Sequence, residues 1–152
     1  MNQIIELIKG IHPGVYLARE LQKRKLAKGR FALSVNEYPQ TLGDITKGKR
    51  KMNVSLALKI ERALGLEEGF LMILQTYYDI KQVKMKLADK LKPIISVFRP
   101  ALFWDTSINK INWLAQKEAI LKRVMERGNE LEKKEIIRFY NSPELQNLLP
   151  NE

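Results

Sequence analysis

Apolar residues in this chain recur at three- and four-residue spacings, in short blocks that each end at a residue suited to closing a helix. No stretch alternates apolar and polar residues for long enough to make a strand, and no internal repeat is present, so the chain is expected to be all-α. Pro13 suits a first helical turn, and Val15, Leu17, Ala18 and Leu21 predict a helix over about 13–25. Phe31, Ala32 and Val35 predict a second, over about 28–35, which stops at Asn36, a residue that tolerates left-handed backbone angles. A third begins near Tyr38 and Pro39, turns Leu42 and Ile45 inward and ends at Gly48. Asn53 caps a fourth, with Leu56, Ile60, Ala63 and Leu64 facing inward before Gly65. A fifth runs from about 67 into the 80s, with Phe70, Leu71, Leu74, Tyr77 and Tyr78 early and a lysine-rich stretch after Ile80.

Pro93 and Pro100 bracket a segment without helical character, which sets the expected organisation: a first domain at 1–88, a linker at 89–100 and a small helical domain at 101–152. In that last part a helix is predicted over about 112–127, with Trp113, Ile120, Val124 and Met125 on its apolar side and Gly128 as its stop. Asn129, with Glu132 three residues on, predicts a capped helix ending near Tyr140, and Ser142-Pro143 starts a last short turn. Trp104, Trp113 and Phe139 are expected in the core, where aromatics at helical spacing usually belong.

Chemistry is narrowed by what the chain lacks. Among 152 residues there is no cysteine and one histidine, His12, whose place before Pro13 fits a cap or a packing role. No catalytic residue, metal ligand or cofactor is expected from this inventory, and the chain is not read as an enzyme. Residues 43–49 have the spacing of a phosphate-binding loop, but Arg50 stands where such a loop needs Ser or Thr, and 38–42 reads as helix where a strand is required. No apolar run approaches the roughly 20 residues that span a bilayer, so a cytoplasmic protein without membrane attachment is expected. The net charge of +10 is concentrated: residues 1–86 hold 16 Lys+Arg against 8 Asp+Glu, whereas 87–152 hold 11 against 9. Residues 19–51 alone hold 10 basic and 3 acidic side chains, a density that favours a polyanion partner.

The second and third predicted helices, joined by a tight turn, meet the requirements of a DNA-reading pair. Ala32 permits close approach, Asn36 makes the turn, and Leu42 and Ile45 pin the third helix so that its other face is free for a major groove. Base-reading residues are expected at Tyr38, Gln40, Thr41 and Asp44. Gln40 offers two hydrogen bonds to adenine, Thr41 a methyl or hydroxyl, and Asp44 an acceptor for cytosine. Phosphate contacts are expected from Lys28, Lys47, Lys49, Arg50 and Lys51, where counterion release rewards cations.

These residues also carry a resemblance. Ile11-His12-Pro13-Gly14, Leu26 through Gly48-Lys49-Arg50, Ala57-Leu58-Lys59-Ile60 with Arg62-Ala63-Leu64-Gly65, and Leu74-Gln75 with Tyr78-Asp79 are similar, without a gap from 11 to about 81, to the HigA antitoxins, the VapI-like branch of the Xre helix-turn-helix regulators. The resemblance implies a five-helix, lambda-repressor-like DNA-binding domain, a homodimer on a palindromic operator in double-stranded DNA, repression of its own operon, and a cognate toxin as partner. The chain departs from the family at Ala27, where Ser or Thr commonly caps the helix, at Glu37 in an apolar position, and at Gly43 and Asp44 in the recognition helix. Leu102-Phe103-Trp104-Asp105, Trp113, Val124, Glu126-Arg127-Gly128 and Arg138-Phe139-Tyr140 resemble a small domain of unknown function found behind such headpieces, which implies toxin binding or extension of the dimer. Two alternatives stand beside this reading: a stand-alone phage or plasmid repressor without a toxin, and a protein-interaction adaptor with a degenerate headpiece.

Overall fold

The computed structural model describes residues 1–149; it is all-helical, and the chain divides into two compact units, Met1–Lys81 and the residues from Gln82 onward. The first unit holds α1 (Asn2–Ile8), α2 (Pro13–Lys23), α3 (Lys28–Ser34), α4 (Pro39–Thr46), α5 (Val54–Leu64) and the start of α6 (Phe70–Ala88). Side-chain acceptors start three of these helices. The His12 ring accepts the Gly14 N–H at 2.9 Å, and the Asn53 side chain accepts the Leu56 N–H at 2.8 Å. Glu61, fully buried, accepts from Gly69 N at 3.0 Å and Leu71 N at 2.8 Å, so a side chain of α5 satisfies backbone donors at the start of α6. Leu17, Leu21, Leu42, Ile45, Leu56, Ile60, Leu71 and Leu74 form the centre of the core.

Three expectations for this unit need correcting. α1 precedes the five predicted helices; it has little amphipathic signal because Ile5 alone is buried while Ile4 and Leu7 are exposed. Ala63 faces solvent, since the inward face of α5 runs through Leu56, Ala57, Ile60 and Leu64. α6 starts at Phe70 instead of 67, where Glu61 accepts the N–H groups of Gly69 and Leu71 on either side of its first residue.

The second unit contains short 3₁₀ turns at Ile95–Val97, Pro100–Phe103 and Ile108–Lys110, followed by α7 (Lys117–Arg127), α8 (Glu130–Tyr140) and α9 (Pro143–Gln146). The division falls within α6, earlier than the expected linker at 89–100. Those linker residues are bound into the second unit: Phe98 is buried in its core, the Ile94 N–H donates to Glu135 at 2.7 Å, and Arg99 is gripped by Glu132. Glu132 is the hub. It accepts from the Arg99 backbone N–H and Nε, both at 2.9 Å, from Arg99 Nη2 at 3.0 Å and from Asn129 N at 2.7 Å, while Asn129 caps α8 in return. The Arg99 guanidinium and these backbone donors hold the Glu132 carboxyl at about 2, against burial, which acts in the opposite direction.

α7 begins at 117, five residues later than predicted, because Asn112 spends its side chain on a turn, accepting from Leu114 N at 3.2 Å and Ala115 N at 2.9 Å. Trp113 and Phe139 are core residues as expected, whereas Met125 is exposed and Trp104, at 75% exposure, stands outside the core altogether. The phenol of Tyr140 donates to the Trp113 carbonyl at 2.6 Å. No helix among the described residues is long and apolar enough to cross a membrane.

Candidate nucleic-acid interface

The α3–α4 pair is built by burying one side of each helix. Phe31 and Ala32 on α3, Val35 after it, and Leu42, Ile45 and Thr46 on α4 are buried. Asn36 takes φ +53°, and the turn is closed by Asn36 N–H to Leu33 O at 3.1 Å and Glu37 N–H to Ala32 O at 2.9 Å. Glu37 is half-buried, and its carboxylate accepts the Tyr38 N–H at 2.9 Å just before Pro39 starts α4. A charged residue is accommodated after the turn because it serves the entry to α4.

α4 is fixed from below by α2. A Cβ placed on Gly14 would lie 1.7 Å from the Ile45 carbonyl oxygen, so the two backbones meet at a distance only glycine allows. His12 lies beside that contact, 5% exposed, with its ring edge-on to Tyr78 at 4.9 Å. Burial pushes its pKa down; contact with the Arg50 backbone and the charge of Asp79 act in the opposite direction.

With its inner side so held, α4 turns the expected base-reading residues outward. Tyr38 is 78% exposed, Gln40 is exposed, and Thr41 and Asp44 are half-buried. Gln40 and Asp44, one helical turn apart, are joined only by a 3.5 Å contact, the outer limit for a hydrogen bond, which leaves both groups available to another partner. Gly43 lies between them, and a Cβ added there would meet nothing within 4 Å. Replacing it with alanine should stabilise the first unit by about 0.5–1 kcal/mol, because no contact is lost and a helix-interior glycine is removed. A thermal melt reads this directly, and a lower Tm would contradict it. Residues 43–46 lie inside α4, so the phosphate-loop spacing has no loop to act through.

Cations flank this face. Lys28 is the first residue of α3, Lys47 closes α4, and Lys49 and Arg50 follow, all exposed. None of these four forms an ion pair among the described residues, and neither does Arg30, an exposed cation on α3 that the charge pattern alone did not single out. Lys51 differs: its Nζ is 3.1 Å from Asp79. Sequence reasoning also assigned no role to Gln75, whose only signal was its place beside Leu74. Buried at 3% exposure, it accepts the Met52 N–H at 3.0 Å and donates to Asp79 at 3.0 Å. Among the described residues no group of three or more His, Cys, Asp or Glu is placed to hold a metal ion.

Residues 98–149 match a family of unknown function (DUF6922), about a third of the chain and wholly within the second unit. The matched span includes Leu102–Asp105, Trp113 and Phe139, on which the resemblance of the second half rested. No curated protein and no solved structure matches the chain.

Proposed function

We propose that this chain is a sequence-specific repressor that binds double-stranded DNA through α4, and that it is the antitoxin of a toxin–antitoxin pair controlling its own operon as a homodimer. One observation carries the DNA reading: the outer face of α4 presents Tyr38, Gln40, Thr41 and Asp44, beside the cations Lys28, Lys47, Lys49 and Arg50, which have no ion-pair partner among the described residues. Side chains at the start of such a helix reach base edges, and flanking cations fix the helix on the phosphates. The antitoxin role rests on the family resemblance over residues 11–81, with the second unit assigned to toxin binding or to the dimer.

Binding of the purified chain to a duplex from upstream of its own gene, followed across salt concentrations, tests the DNA reading. Four phosphate-contacting cations per chain predict a steep decline, with log K falling against log salt by about 0.9 for each contact. Weak binding with a flat salt response would support the adaptor reading. The adjoining gene tests the rest: a toxin-sized open reading frame whose product co-purifies with this chain is expected.

A stand-alone repressor is the second reading, and a hollow in the second unit favours it. About 140 Å³ of space is lined by Phe103, Ile111 and Ile120, with Asp105, Gln116 and Arg123 among its polar residues. Under that reading no toxin gene adjoins, and a small molecule alters operator affinity.

A further inference from the structure

We infer that Asp79 is a built-in brake on DNA affinity: it neutralises Lys51, the last cation of the basic segment that follows α4. The inference rests on the DNA-binding reading above. Lys47, Lys49 and Arg50 are without ion-pair partners among the described residues, but Lys51, although 74% exposed, is engaged by the Asp79 carboxylate at 3.1 Å. The contact is built from the inside outward. Gln75 is buried in α6, and its amide oxygen takes the Met52 N–H, which holds the backbone next to Lys51 against α6. The amide nitrogen of Gln75 donates to Asp79 Oδ1, so the carboxylate is oriented with its other oxygen toward Lys51.

An ordinary surface ion pair is worth little to folding, because screening and side-chain entropy offset the attraction. This carboxylate is fixed by a buried amide, so little further ordering is needed to pair it. Its effect on a polyanion is larger than its effect on folding. Lys51 cannot serve a phosphate fully while it is paired, and the carboxylate repels any phosphate brought near it. The segment from 47 to 51 therefore presents fewer effective positive charges than the four cations it contains. A repressor that controls its own synthesis benefits from such a limit, since an operator held too tightly does not respond to changes in repressor level.

Asp79→Asn tests this. The amide retains an oxygen for Gln75 and nearly the same shape but carries no charge. With a duplex from upstream of the gene at about 0.1 M salt, D79N is expected to bind several-fold more tightly, and its plot of log K against log salt should steepen by about 0.9, the slope of one added phosphate contact. Lys51→Gln should weaken binding far less in the wild type than in D79N, so the double variant K51Q/D79N should lose most of the gain, as a coupled pair requires. If D79N leaves both affinity and slope unchanged while the wild type binds with a steep salt response, the brake is refuted and the DNA reading stands. If neither protein shows salt-dependent binding, the DNA reading itself fails. A far-UV spectrum and melt within a few degrees of wild type establish that D79N is folded; a large fall in Tm would identify the pair as a structural pin instead.

Discussion

Gly14→Ala is expected to unfold the first unit or to destabilise it by on the order of 3 kcal/mol or more. The added methyl would sit 1.7 Å from the Ile45 carbonyl oxygen and 2.5 Å from its carbonyl carbon. Both are backbone atoms of α4, so no side chain can rotate to make room, and relief requires moving α4 off α2. That movement strips Leu42 and Ile45 from the core and displaces the outward residues with them, so under the proposed function DNA binding should fall together with the melting temperature. Gly29→Ala is the control: this glycine also lies within a helix, its Cβ would meet nothing within 4 Å, and its replacement should be neutral or stabilising. Equal melting temperatures for the two variants would contradict the packing described for α2 and α4.

The second large effect belongs to the other unit. Glu132→Ala removes the acceptor for the Arg99 and Asn129 backbone N–H groups and leaves the Arg99 guanidinium without its partner. Glu132 is itself fully buried, and removing such an acceptor leaves its backbone donors unpaired at about 1–3 kcal/mol each. The lost ion pair adds little to this, because the Arg99 side chain is 55% exposed and partly screened. The residues from Gln82 onward should lose helical signal and protection from proteolysis, while those of the first unit keep theirs. Glu132→Gln should fall between the two, since it keeps one acceptor oxygen and loses the charge.

The same carboxylate sets an acid limit. Its folded pKa, about 2, lies below the ordinary 4.5, so the charged form is favoured in the folded chain. The resulting stability is fully present above about pH 4.5 and is lost as the pH falls toward 2, by on the order of 2 kcal/mol after screening of Arg99 is allowed for. In E132Q this part of the acid dependence should be absent. A variant that lost stability between pH 4.5 and 2 as steeply as the wild type would show that other carboxylates govern it. Glu135, which Arg138 also holds below its usual range, is the first to test.

Residues that report on their own backbone were readable in advance. Pro13, Asn36, Asn53, Gly65 and the Asn129–Glu132 box mark helix ends through capping or turn chemistry confined to a few residues, and each stands where the spacing put it. Errors arose where a distant contact decides the outcome. Nothing near Trp104 in sequence distinguishes it from Trp113, yet one is exposed and the other fills the core, a result fixed by packing among Phe98, Phe103 and Phe139. Residues 89–100 looked like a linker because prolines interrupt their helical pattern, and they join the second unit through Glu132 and Glu135, more than 30 positions away. At the candidate interface, the outward residues of α4 follow from helical geometry once Leu42 and Ile45 are known to face inward. That Lys51 is not equivalent to Lys49 does not follow from spacing, because its partner Asp79 is 28 residues away on α6.

If the outer face of α4 reads bases while the cations beside it hold phosphates, Gln40→Ala and Lys49→Ala must fail in different ways. Their affinities for the upstream duplex and for a random duplex of the same length separate the two roles. Q40A is expected to lower the ratio of specific to random affinity by about tenfold or more, whereas K49A should weaken both duplexes alike and reduce the salt slope by about 0.9. Equal losses on both duplexes for Q40A, with the ratio unchanged, would contradict the assignment of α4 as the reading helix.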